Sequence, residues 1–227
     1  MKRILLALGL LWAIPASAQQ NTACVGIGGV NNVPIPGITC IQDPSVPSYA
    51  AASVSLAPAS TATDIACLTG SATRTIRLKR IVISGVAGTA INVPVYIAKR
   101  ASADTGGTSP TTIATGLPIP FALDSTFAAP SATLVAYTAN PTINDANWTT
   151  ALANIITAPT VSFAATGTLI GQPATVVDFS AQQGISPPVL RGIAQQVCIS
   201  MNTSGQTVST PSGGLVSITW LWTEQTQ

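Results

Sequence analysis

Histidine is absent from all 227 residues, which removes the usual general base of serine and cysteine nucleophiles and the commonest zinc ligand. Glutamate occurs once, as Glu224. A paired-carboxylate hydrolase would therefore have to draw on Asp43, Asp64, Asp104, Asp124, Asp145 and Asp178, and their spacing puts no two on one face. No Ser-x-x-Lys, Gly-x-Ser-x-Gly or Cys-x-x-Cys stretch is present. These absences nominate no catalytic residue, no metal set and no cofactor, and the reading they leave is of a protein that is not an enzyme. Charge is scarce as well, at 7% of the chain against 47% hydrophobic residues. Solubility must then rest on Thr, Ser, Asn and Gln, a composition that suits exported proteins packing into assemblies.

Lys2 and Arg3 precede an apolar run from Ile4 to Ile14, followed by Pro15 and Ala16-Ser17-Ala18. That order of charge, apolar core and small residues predicts a cleavable signal peptide over residues 1–18. The destination it implies is secreted, periplasmic or cell-surface. The run falls short of the roughly 20 apolar residues of a span, so no stable membrane insertion is expected. Cleavage takes two of the nine basic residues with it, leaving seven basic against seven acidic side chains, and no electrostatic case for nucleic acid survives. Four cysteines remain, Cys24, Cys40, Cys67 and Cys198. An even count in an oxidising compartment predicts two disulfides. Of the three pairings, Cys24 with Cys40 and Cys67 with Cys198 is favoured, the first closing a local loop and the second tying an early strand to a late one.

Residues 19–63, rich in Gly, Pro, Asn and Ser with turns at Val33-Pro34-Ile35-Pro36-Gly37 and Asp43-Pro44, read as an irregular N-terminal arm. Residues 64–227 read as short strands separated by turns. Ile76 and Leu78 share one phase and Ile81 and Ile83 the other, which a bulge near Lys79-Arg80 would reconcile. Ile91, Val93, Val95 and Ile97 alternate with polar or small residues, with Pro94 marking an edge or bulge. Further strands are expected over Thr133–Tyr137, Thr160–Ala164, Thr175–Phe179, Val197–Met201 and Val216–Trp222. Helical spacing competes only at Asn147–Ile156. The whole predicts an all-β, antiparallel two-sheet β-sandwich, jelly-roll-like, with the arm attached.

The remaining candidates are surface features. The polar loop Asp104, Thr105, Gly106, Gly107, Thr108 and Ser109 is the stretch most suited to contacting a ligand or partner. Asn144, Asp145 and Asn147 offer oxygens but too few carboxylates for a calcium site. Trp220 and Trp222 have the flat faces that sugars favour, yet continue the phase of Val216 and Ile218 and so read as core. Arg74, Arg77, Lys79 and Arg80 read as a solvated or paired basic face.

Several stretches resemble a group of small phage and prophage virion proteins of head-decoration or fibre type. They are Ile76-Arg77-Leu78-Lys79-Arg80, Ala98-Lys99-Arg100 with Ala103 to Ser109, Ala136-Tyr137-Thr138-Ala139-Asn140-Pro141-Thr142, Val189-Leu190-Arg191-Gly192 and Trp222-Thr223-Glu224. The resemblance implies a β-sandwich particle component that works by self-association, and it carries over no catalytic residues. The signal peptide, the arm and the four cysteines depart from that group and point to an exported relative at an envelope or surface. The expected role is thus a structural or assembly module, as a homo-oligomer or docked on a larger surface or particle. The alternative is a secreted module binding carbohydrate or another surface ligand.

Overall fold

The computed structural model describes residues 46–58, 63–144, 154–167, 173–179, 187–201 and 213–227. The signal segment, the Cys24–Cys40 pair, Asp145, Asn147 and Trp148 lie outside the described residues. Thirteen strands are described, grouped in two sheets. The larger sheet runs β4 (Ile91–Pro94), β9 (Thr160–Ala165), β3 (Arg74–Ala87), β13 (Leu215–Thr226), β1 (Ser48–Leu56) and β6 (Phe121–Ala122), with β10 (Thr175–Asp178) and β11 (Val189–Leu190) also on β3. The smaller runs β7 (Thr133–Ala136), β2 (Asp64–Thr69), β12 (Gln196–Ser200), β5 (Tyr96–Arg100) and β8 (Ile155–Thr157). The fold is therefore all-β, with two sheets and a shared apolar interior, as strand-period burial predicts. Pairing is antiparallel throughout the described ladders except for a short parallel contact of β3 with β9 at Val86–Ala164 and Ala87–Ala165.

Strand alternation decides which residues meet between the sheets. Tyr49, Ala51, Ile76, Leu78, Ile81, Ile83, Ile218, Trp220 and Trp222 face inward from the larger sheet, and Ala66, Leu68, Leu134, Ile97, Val197 and Ile199 from the smaller. Both tryptophans are completely buried, and the rings of Tyr49 and Trp222 stack with centroids 6.0 Å apart. The expected phase change in β3 is present. Leu221 pairs with Arg80 and Trp222 with Leu78, so Lys79 is the extra residue of a bulge that keeps both apolar pairs on the core side. Gly85 serves the same interior: a Cβ there would lie 2.6 Å from the Phe163 ring and 2.4 Å from the Leu215 carbonyl oxygen.

The alternating run Ile91–Ile97 is two strands. β4 belongs to the larger sheet and β5 to the smaller, and the chain crosses between them at Pro94-Val95, with Val93, Val95 and Ile97 all buried. Proline, lacking an N–H, is suited to the crossing because it ends one ladder without leaving an unpaired donor. Two expectations need correction. The irregular arm does not extend to residue 63, because Ser48–Leu56 is a full strand paired with β13 from Ser48–Thr223 to Leu56–Val216. Its run Ala50-Ala51-Ala52 lacks the β-branched signature of a strand, but small side chains fit where Tyr49 and Trp222 already fill the space. The helical spacing at Asn147–Ile156 fails where it is described, since Ile155–Thr157 pairs with β5 as β8. No helix among the described residues is long and apolar enough to cross a membrane.

The single glutamate closes the interior. Glu224, wholly buried two residues beyond Trp222 on the same strand face, accepts hydrogen bonds from the Trp222 indole (3.0 Å), the Ser131 and Ala132 amides (3.0–3.1 Å) and the Ser131 hydroxyl. It thereby fastens the segment before β7 to β13. We predict that Glu224→Ala lowers the unfolding free energy by about 3–5 kcal/mol in urea titration, because several buried donors lose their shared acceptor together. Glu224→Gln, which keeps one acceptor oxygen, should lose less.

Candidate functional site

The outer face of the smaller sheet is not left to solvent. Across β7, β2, β12 and β5 it presents the row Val135, Cys67, Cys198 and Ala98, and beside it the row Thr133, Thr69, Gln196 and Arg100. Cys67 and Cys198 stand directly opposite one another with Cα atoms 4.1 Å apart and are joined in the expected disulfide, which links positions 131 residues apart. The disulfide, Tyr137 and Val135 form a small apolar cluster separate from the main core. Around it sits a polar set. Asp64 and Arg100, both fully buried, meet through two hydrogen bonds of 2.9 and 2.6 Å, the parallel geometry that best offsets the desolvation of both ions.

The loop singled out as a ligand contact is the roof of this cluster. Asp104 turns inward: its amide donates to the Gln196 side-chain oxygen (2.9 Å), and Gln196 in turn donates to Thr69 (2.9 Å). Thr105 bridges to Thr142 and Thr108 to Ala139, so Ala103–Thr108 lies as a ribbon along residues 138–142. Asn144 donates through its side-chain amide to the Ala103 carbonyl (2.9 Å) and the Thr105 hydroxyl (3.0 Å), which fastens the start of the loop. Gly106 and Gly107 both adopt positive φ, +68° and +79°. At Gly107 a Cβ would also lie 2.9 Å from the Tyr137 ring, so glycine is required there by backbone and by space. The structure thus divides the predicted site. Asp104 belongs to the buried cluster, while Thr105, Gly106, Gly107, Thr108 and Ser109 are exposed.

Carboxylate oxygens of Asp64 and Asp104 and the two cysteine sulfurs lie within 4.8 Å of one another. The geometry resembles a four-ligand cage, but its chemistry does not fit one. The sulfurs are bonded to each other, and Asp64 is held by the Arg100 guanidinium. The 3.5 Å approach of Asp104 to Cys67 is a packing contact, since a disulfide sulfur has no proton to donate. Nor does the pair suit thiol–disulfide exchange. Both sulfurs are fully buried, and neighbouring carboxylates disfavour a thiolate, the attacking species. Sequence inspection nominated the cysteines and the loop separately; that they form one cluster depends on the pairing of β2, β12 and β5, which no spacing reveals.

The outer face of the larger sheet is different in kind. One row across it reads Phe121, Ala50, Leu221, Arg80 and Asp178; the next reads Ala52, Thr219, Val82 and Val176. Further along follow Val54, then Ser217 beside Ser84, and Leu215 beside Val86. Val54, Phe121, Val176 and Leu215 are 39–56% exposed, and Ile119 and Leu123 flank Phe121 with comparable exposure. The charges in those rows, Arg80 and Asp178, pair with each other, the Arg80 Nε donating over 2.9 Å. Nearby, Arg77 donates to Gln225 at 3.1 Å, so part of the basic cluster is engaged within its own sheet. The buried Trp220 and Trp222 offer no surface for stacking a sugar. No protein family, curated protein or solved structure matches the chain.

Two predictions concern the roofed cluster. The Cys67→Ala/Cys198→Ala double variant should lose about 3–5 kcal/mol of stability by denaturant titration, since a link over so long a loop restrains the unfolded chain strongly. The Tyr137 phenol is pushed up to about 12 by burial, with Asp104 and Asp64 adding to the shift. Because the folded state favours the neutral phenol, its contribution is complete below the ordinary value of 10.0 and is lost as the pH climbs toward 12. Alkaline denaturation curves should therefore fall more steeply over that interval for the parent than for Tyr137→Phe.

Proposed function

We propose that this chain is a non-catalytic structural module, exported and held together by disulfides, that works by self-association or by docking on a larger surface or particle. The observation that carries this reading is the solvent face of the larger sheet, where exposed valine, leucine and phenylalanine stand among threonine, serine and alanine with a single internal ion pair. Side chains of catalytic potential are engaged elsewhere: Asp64 with Arg100, Asp178 with Arg80, Glu224 with Trp222, Ser131 and Ala132, and the cysteines with each other. A buried disulfide is compatible with an oxidising compartment, which supports export in concert with the signal-like residues 1–18. A virion-type role for such a module rests on the short resembling stretches alone.

The second reading is a surface-ligand module acting through Thr105–Ser109. It is favoured by one observation, the rigid presentation of that exposed ribbon by Asn144 and the two bridges to residues 139 and 142. Light scattering of the purified protein over a wide concentration range separates the two. Assembly predicts a mass that rises with concentration. A constant monomer mass, together with carbohydrate binding abolished by Thr108→Lys, would replace the first reading with the second.

A further inference from the structure

We infer that the partner of the larger sheet's outer face is a second copy of this chain, packed face to face as a closed pair and not added edge to edge. The inference rests on the assembly reading and names its surface and geometry. Area is the first argument. Along β13 the face runs seven residues, from Leu221 to Leu215, with β1 and β3 beside it, and β6 adds two residues and β10 four at the Leu221 end. At about 4.8 Å per strand and about 3.4 Å per residue this gives roughly 450 Å² per copy. A pair would bury about 900 Å², the size of a weak, reversible dimer.

Charge is the second argument. Arg80 and Asp178 neutralise each other within one copy, so two such faces meet without like charges opposed, and a strongly charged partner would find nothing to hold it. The side chains at the centre, Ala52, Thr219, Val82, Ser217 and Ser84, are small or β-branched and offer neither a deep pocket nor a knob. Such low relief suits the same surface turned by two-fold symmetry. The ends of the sheet argue against the competing geometry. β4 ends in Pro94 and β6 directly follows Pro120, so each end strand of the described path loses a donor at one end and is only two to four residues long, a short template for an added strand.

Thr219 stands exposed at the middle of the face, where lysine adds a charge without disturbing the interior. Sedimentation velocity of the full mature chain should show a monomer–dimer equilibrium in the parent. In Thr219→Lys the dissociation constant should rise about a hundredfold or more, because closure would bury an unpaired charge from each copy. Val176→Lys, on β10, should do the same, while Ser102→Lys, exposed just beyond β5 of the smaller sheet, should leave the equilibrium unchanged. Near-ultraviolet dichroism from the buried tryptophans verifies that each variant is folded. A dimer that persists unchanged in both face variants overturns this inference and leaves self-association through another surface standing. A parent that stays monomeric at every concentration overturns the inference and self-association together, leaving only docking on a foreign surface.

Discussion

The pairing of β13 with β3 on one side and β1 on the other is the contact that the remaining architecture presupposes. It runs the whole length of β13, from Leu215–Val86 to Thr226–Arg74, while Ser48–Leu56 occupies the opposite edge. This places Ile218, Trp220 and Trp222 in the middle of the interior, where fully burying such large side chains contributes several kcal/mol each. Because β1 and β13 stand far apart in the sequence, their ladder joins the two ends of the described domain. Everything peripheral is then held relative to it: β6 through β1, β9 to β11 through β3, and the segment before β7 through Glu224.

The bulge at Lys79 shows how the ladder tolerates its own sequence. Without it, the one-residue phase change between Leu78 and Ile81 would turn one apolar pair toward solvent and bring Lys79 or Arg80 into the core. With it, Arg80 reaches the outer face, where Asp178 on β10 is its direct cross-strand partner. The few charges of the chain are used in the same manner elsewhere. Asp64 and Arg100 close the polar cluster under the disulfide, and Asp124 accepts from both the amide and hydroxyl of Thr126, which holds its carboxyl below the usual range. In a chain with so little charge, these groups organise particular loops and contribute little general solvation.

Strand periods and cysteine parity were the legible part. Alternation identified β4–β5, β7, β9, β10, β12 and β13, the conflict of phases located the bulge, and the favoured long-range pairing of Cys67 with Cys198 is the disulfide observed, although alternation did not identify β2 around Cys67. Segments with weak local preference were harder to read. β1 is rich in alanine, and its identity as a strand comes from the space left beside Trp220 and Trp222; β8 lies in a stretch whose apolar spacing suits a helix equally well. The polar cluster was legible only in fragments, because Asp64, Arg100 with Asp104, Tyr137 and Gln196 come from four separate parts of the chain and meet through sheet register. Thr105–Ser109 was correctly read as a polar surface turn, but Asp104 was not foreseen as its half-buried anchor, since nothing local distinguishes an inward from an outward aspartate in a glycine loop.

A two-sheet sandwich has two outer faces, and this one treats them oppositely. The face that carries buried charges and the disulfide is covered by the chain's own ribbon, which is necessary because an ion pair such as Asp64–Arg100 gains from partners and exclusion of water only when the cover is complete. The face that carries valine, threonine and alanine holds one ion pair, Arg80 with Asp178, satisfied within its own sheet, and it presents apolar area to water that association would remove. Among the described residues, this arrangement covers the polar side with local chain and leaves Val54, Phe121, Val176 and Leu215 exposed on the other. It is intelligible if the second cover comes from another molecule. The small excess of either charge sign in the chain then acts in the same direction, since copies with little net charge approach without long-range repulsion.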